Sequence, residues 1–180
     1  KVWEPLKQKI IIYHYLRRTS PTYIKLRNDI TIYTSSNPHD IITFVVVFAK
    51  KDYGRIKKES IVIDVGANIG IFTLYAILNG ASHVEAFEPC SEAYNILKLN
   101  IEKNGFKNQV NLNKLAVGDK YNSIVKISKK SSPYNFISEK NLSSESSDLE
   151  EVKVTTLDRA LEKFKKIDLI KMDCEGAEFI

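Results

Sequence analysis

From Ile61 onward the chain alternates between short apolar runs and longer amphipathic stretches. "IVIDV" (61–65) reads as a buried strand, and "GIFTLYAILN" (70–79) as a helix that stops at Gly80. "HVEAFE" (83–88) is the next strand, followed by a helix over 90–103 that ends at "NG", and by a third strand, "QVNLNKLAV" (109–117). Regular alternation of this kind predicts a parallel sheet with helices on both faces, a Rossmann-like α/β fold. "YNSIVKIS" and "EEVKVTTL" add two strands, then come a helix, "LDRALEKF", and a strand, "IDLIKMD" (167–173). That last strand is apolar apart from its ends, so it needs a neighbour on each edge. Further strands after Ile180, or a second chain, are expected to cover it.

The pattern before Ile61 is different. "PLKQKIIIYHYLRR" (5–18) has a helical period, and "YIKLRNDITIYTSS" alternates around Asn28-Asp29 as a hairpin does. "IITFVVVFA" (41–49) is the longest apolar run, too short to span a bilayer. It follows Asn37 and Pro38, a cap and a first helical residue, which predicts a buried helix. A basic linker, "KKDYGRIKKES", leads to Ile61. The division expected is a helix-hairpin-helix lead-in over 1–60 and an α/β domain over 61–180.

Charge follows the same division. Residues 1–60 hold 12 Lys and Arg against 5 Asp and Glu, whereas 61–180 hold 15 against 17. The basic excess suits an anionic partner such as nucleic acid, lipid headgroups or a phosphorylated substrate; the simpler reading is a solvated face around an amphipathic helix. Cys90 and Cys174 lie far apart and outside any metal-spaced cluster, which points to a reduced, cytoplasmic protein. The serine-rich stretch 128–148 reads as a surface loop, with a substrate lid as the minor alternative.

Candidate chemistry gathers where the strands end. Asp64-x-Gly66-x-Asn68-x-Gly70 is a glycine turn between a strand and a helix N-terminus, a place where backbone approaches a ligand closely. A dinucleotide fingerprint from Gly66 needs glycines at 68 and 71, and the chain has Asn68 and Ile71. An acid before the turn suits a ligand that carries positive charge, such as the ammonium of an amino-acid moiety. Glu88, at the end of the second strand, is placed to accept both hydroxyls of a ribose. "LAVGD" (115–119) would line a base pocket, and "IKMDCEGAE" (170–178) brings Lys171, Asp173, Glu175 and Glu178 to the carboxyl end of the last strand. Ligands of open parallel sheets bind beyond those ends, at the switch in strand order.

Together "IDVGANIGIFTLYA", "AFEPCSEAYNILKLNIEKNG", "LAVGD", "TTLDRAL" and "IDLIKMDCEGAEFI" resemble the FkbM family of S-adenosylmethionine-dependent methyltransferases over 61–180. The resemblance implies a class I methyltransferase sheet of seven mostly parallel strands, of which the later ones are absent from this sequence. It implies S-adenosylmethionine as cofactor and a hydroxyl acceptor on a sugar, glycan or complex natural product. On this basis Asp64, Gly66, Asn68 and Gly70 cradle the methionine portion, Glu88 takes the ribose, and Ala116 and Val117 lie near the adenine. Asp173, Glu175, Gly176 and Glu178 match the family's D-x-E-G-x-E signature.

A hydroxyl is a weak nucleophile and needs its proton removed as the new bond forms. Asp173 and Glu175 are the candidate bases, with Lys171 and His39 behind them; a divalent ion held by the two acids is the alternative, with no metal site assigned. Two rival readings stand beside this one. "EPCSEAYNILKLNIEKNG" also resembles part of some tRNA-modifying enzymes, which makes nucleic acid the second acceptor class. However, "DCEG" stands where exocyclic-nitrogen methyltransferases usually carry [DN]-P-P-[YF]. The third reading is a non-catalytic module of the same fold.

Overall fold

The computed structural model describes residues 8–35, 37–129 and 149–173. Most of the serine-rich stretch, and Cys174, Glu175, Gly176 and Glu178, lie outside the described residues.

Helix α1 (Gln8–Arg17) precedes a hairpin of β1 (Tyr23–Lys25) and β2 (Thr31–Tyr33), paired antiparallel from Tyr23 opposite Tyr33 to Lys25 opposite Thr31. Asn28 and Asp29 make the reversal in the left-handed region, at φ 69° and 59°, which short polar side chains tolerate. Helix α2 (Pro38–Phe44) has Asn37 as its cap, with the side chain accepting from the His39 N–H, and Pro38 in the first turn. It continues into a π-helical segment, Val45–Lys50, which closes on Lys51 in the left-handed conformation.

The central sheet is built from β3 (Ile61–Val65), β4 (His83–Phe87), β5 (Val110–Asn113) and β9 (Leu169–Met172), all parallel, in the order β5-β4-β3-β9. Helices α3 (Ile71–Leu78) and α4 (Ser91–Lys103) make the two crossovers from β3 to β5. The chain then returns to the far side of β3 with β9, so the strand order reverses between β3 and β9.

The third strand expected over 109–117 is in fact two. Strand β5 ends at Asn113, and Ala116–Val117 form β6, which joins a separate sheet in the order β6-β8-β7. There β8 (Leu149–Thr155) pairs in parallel with β6 and antiparallel with β7 (Ile124–Ser128). The split has a hydrogen-bonding cause. The Asn113 carbonyl accepts from the Glu88 N–H just past the end of β4, and from Ala116 the chain finds its partner in Val154 and Thr155 instead. A short helix, α5 (Leu157–Leu161), capped by Thr156, leads into β9.

Alternation along the strands sorts the core into two faces. Val62, Val84, Ala86 and Val110 pack with Leu74, Tyr75, Leu97 and Ile101 of α3 and α4. The same cluster takes in Ile24, Leu26, Ile32, Ile41, Phe44, Val47 and Phe48, so the lead-in and the parallel sheet share one core. On the opposite face Ile63, Val65 and Phe87 pack with Leu157, Leu161 and Phe164. Within the described residues β9 has β3 on one edge only, and Ile170 and Met172 are exposed. Among the described residues no helix is long and apolar enough to cross a membrane.

Candidate functional site

Strand β3 ends at Val65, and the next five residues turn the chain into α3. Gly66 (φ 73°), Asn68 (φ 51°) and Gly70 (φ 86°) all adopt left-handed conformations, which explains glycine at two of the positions and asparagine at the third. The turn is tied to the neighbouring strand through its amides. Gly66 N–H and Ala67 N–H both donate to the Phe87 carbonyl, at 3.0 and 2.9 Å, and Asn68 N–H donates to Glu88 Oε2 at 2.8 Å. Gly70 serves a different need. A Cβ there would lie 2.5 Å from Leu97 Cδ1, so glycine lets α4 pack hard against the start of α3.

Glu88 bridges the turn and the next helix. Its Oε2 accepts from Asn68 N–H, and its Oε1 accepts from Cys90 N–H at 2.9 Å, just before α4 begins. The side chain is buried, and burial pushes its carboxyl up to about 7, with the hydrogen bonds from Cys90 and Asn68 pulling back only part of the way. Glu85, three residues earlier on β4, shows the opposite outcome. Burial raises it too, but donors from Lys163, Asn113, Asn111 and His83 outweigh burial and hold it below the ordinary carboxylate range. Glu85 is therefore satisfied within the fold, whereas Glu88 still gains from further donors. Two adjacent hydroxyls, as on a ribose, would supply them. On that count the residues present fit a nucleoside cofactor.

Asp64 and Lys171 form the charged centre beneath the turn. The register pairs them across β3 and β9, so both side chains leave the same face of the sheet. Asp64 is fully buried; Thr73 Oγ1 donates to its Oδ2 at 2.6 Å, and the Lys171 ammonium lies 3.1 Å from Oδ1. Lys171 also donates to the Gly66 carbonyl at 2.8 Å and sits 6.0 Å from the centre of the Phe72 ring. Burial alone would lower the lysine's pKa, but the charges of Asp64 and Asp173 overcome it and hold the ammonium above its ordinary value. The ammonium form is thus favoured beside Asp64.

Asp173 stands exposed where β9 ends, its N–H donating to the Val65 carbonyl at 3.1 Å. The Tyr53 phenol donates to Asp173 Oδ2 at 3.0 Å, while its ring packs against Phe72 with centroids 5.1 Å apart. Burial first, and then the Asp173 charge, hold the phenol's pKa above its ordinary value, so Tyr53 remains a donor. Tyr53 lies in a linker with no periodic pattern and gave no sequence signal. Thr73 gave a faint one, a short hydroxyl side chain within the apolar run of α3.

The structure thus brings together Asp64, Gly66, Asn68, Gly70, Glu88, Lys171 and Asp173 at the carboxyl ends of β3, β4 and β9. Ala116 and Val117 sit one strand further on. Ala116 is buried with Cys90, Ala93 and Val154, while Val117 is partly exposed beside the Phe87 cluster, so of the two only Val117 offers surface. His39 is exposed in the first turn of α2. Among the described residues no three His, Cys, Asp or Glu side chains gather as a metal site would require.

The family model described as "Methyltransferase FkbM domain" matches residues 64–180. No curated protein matches the chain. Among solved structures, Trm5b from Pyrococcus abyssi is 21% identical over 54% of this chain and 31% of its own, with a TM-score of 0.38. The M. jannaschii tRNA m1G37 methyltransferase is 18% identical over 54% and 31%, with a TM-score of 0.38. A Trypanosoma brucei PRMT1 enzyme-prozyme complex with AdoHcy is 20% identical over 36% and 24%, with a TM-score of 0.30. The chain spans a third or less of the length of each of these three.

Proposed function

Because the chain belongs to the FkbM methyltransferase family, we propose that it transfers a methyl group from S-adenosylmethionine to a hydroxyl on a sugar, glycan or complex natural product. The observation that carries this reading is Glu88: a buried carboxylate between Asn68 and Cys90, with its pKa near 7, beside a glycine turn at the switch in strand order. Such a group is poised to accept the paired hydroxyls of a ribose.

When bound, the cofactor supplies an electrophilic methyl on a sulfonium. The chain's part is to hold the acceptor behind that methyl, and orientation of this kind is worth ~7–11 kcal/mol of barrier. Glu88 accepts the ribose hydroxyls, and Gly66, Asn68 and Gly70 form the floor under the amino-acid end. Val117 lies toward the base. Asp173, exposed at the end of β9, takes the proton of the acceptor hydroxyl while Tyr53 holds its other oxygen. Glu175 is the second acid by resemblance to the family motif. Lys171, held as an ammonium, leaves proton removal to the carboxylates.

Isothermal titration of the full-length protein with S-adenosylhomocysteine tests the cofactor assignment: a 1:1 isotherm is expected, and no binding overturns it. Asp173→Asn is expected to bind the cofactor normally and lose turnover toward hydroxyl acceptors. Methylation of tRNA, with binding that weakens steeply as salt rises, would replace the hydroxyl reading by the nucleic-acid one.

A further inference from the structure

An acid placed before a glycine turn suggests, from sequence, a direct reader of the cofactor's ammonium. The tertiary structure gives Asp64 a different cation. Its side chain is 0% exposed, with Thr73 on one oxygen and Lys171 on the other. Lys171 is 8% exposed, and its ammonium faces three oxygens of the β3 end: Asp64 Oδ1 at 3.1 Å, the Gly66 carbonyl at 2.8 Å and the Val65 carbonyl at 3.4 Å.

These contacts complete a set of restraints on the turn. The amides of Gly66, Ala67 and Asn68 are all taken by β4, through Phe87 and Glu88. Among the described residues the tie from the opposite side of β3 is Lys171, which holds the Gly66 carbonyl, so that the peptide between Gly66 and Ala67 is held at its oxygen as well as at its N–H. A glycine at φ 73° has no side chain to hold that peptide by itself.

We propose that Lys171 is a positioning residue of the cofactor site: its ammonium neutralises Asp64 from within the protein and pins the Gly66 carbonyl, so that the turn keeps its ligand-binding shape. Asp64 then acts through Lys171 and not on the cofactor's ammonium. The charge held on Lys171 agrees with this, since burial would otherwise favour the neutral amine. The inference rests on the S-adenosylmethionine reading above.

The test is titration of S-adenosylhomocysteine into the full chain and its variants, with melting temperature measured beside affinity. Wild type must bind; if it does not, the cofactor reading fails and the question about Lys171 does not arise. The pair Asp64→Asn with Lys171→Met removes the buried charges together, which usually leaves a fold intact where removal of one partner does not. This pair is expected to melt close to wild type yet bind at least about tenfold more weakly. Affinity within about twofold of wild type would overturn the proposal.

Asp64→Asn is measured beside that pair, below its own melting transition, because it leaves one buried charge unpaired and is expected to melt lower than wild type. It leaves Lys171 on the Gly66 carbonyl and is expected to stay within about fivefold of wild type, whereas a fall beyond about a hundredfold marks Asp64 as the direct reader and overturns the proposal. Thr73→Val controls for stability. It removes the other partner of Asp64 and is expected to lower the melting temperature with affinity nearly unchanged; an equal loss of affinity would make Lys171 one structural contact among several and overturn its special role.

Discussion

Tyr53 and Asp173 are 120 positions apart in the chain and share a hydrogen bond of 3.0 Å, phenol to carboxylate. The contact joins the basic linker of the lead-in to the last strand of the parallel sheet. It fixes the exposed acid at the candidate active site from a segment outside the α/β alternation.

The pair makes a spectroscopic prediction. The phenol of Tyr53 is raised first by burial and next by the negative charge of Asp173, while Lys171 pulls it down. Asp173→Asn removes one raising charge and leaves the lysine, so Tyr53 should ionise at lower pH in that variant. The measurement is the alkaline absorbance titration of tyrosinate, with the Tyr53→Phe counterpart subtracted in each background. An unchanged transition would show that the phenol and the carboxylate do not interact in solution.

Glu88 makes a prediction about pH. Its carboxyl is near 7 in the fold against the ordinary 4.5 of an unfolded chain. The folded state therefore binds the proton more tightly, and stability falls as pH rises from 4.5 through 7. Glu88→Gln does not titrate. Its stability relative to wild type should rise by roughly 2–3 kcal/mol between pH 5 and pH 8, whatever fixed offset the amide introduces. Urea denaturation at the two pH values measures this. If ribose hydroxyls donate to the ionised form, S-adenosylhomocysteine should bind wild type more tightly at pH 8 than at pH 6, and the variant should bind weakly at both.

Gly70→Ala tests the contact between α3 and α4. The new Cβ would stand 2.5 Å from Leu97 Cδ1, and Leu97 is fully buried, so its side chain must shift within the core. With φ at 86° the alanine is strained as well. A loss of about 1–3 kcal/mol is expected, and Leu97→Ala in the same chain should cost less than it does in wild type. Simple additivity of the two losses would contradict the contact.

Asn100 is the docking point of the lead-in. Its side chain accepts from the Tyr33 N–H at 2.7 Å and donates to the carbonyls of Tyr33 and Ile69, at 2.9 and 2.8 Å. An amide on α4 thus plays the part of a neighbouring strand for the edge of β2, and Asn104 repeats it one turn on with Thr31. Asn100→Ala leaves three backbone groups without their partner in a buried place and should cost about 2–4 kcal/mol in chemical denaturation. Asn104, half-exposed, should cost less because water can replace it.

The sequence by itself determined the local elements and the order of the site. "IVIDV" could only be a buried strand, Asn37-Pro38 could only open a helix, and the left-handed turn at 66–70 was legible because glycine and asparagine are the residues that accept positive φ. Glu88 was legible too, since position at the end of a strand follows from periodicity. What one element does to another was decided by the tertiary structure alone. The break of 109–117 into two strands depends on which neighbour offers hydrogen bonds, and that neighbour pairs across the register between Ala116 and Val154 and between Val117 and Thr155. The counter-ion of Asp64 came from Lys171 because parallel pairing of β3 with β9 sets the two opposite each other. Gly70 answers to Leu97 and Asp173 to Tyr53, contacts that close over long stretches of chain. Local pattern encodes the propensities and the faces; charge pairing, burial and pKa belong to the folded neighbourhood, because they depend on distances that no spacing along the chain contains.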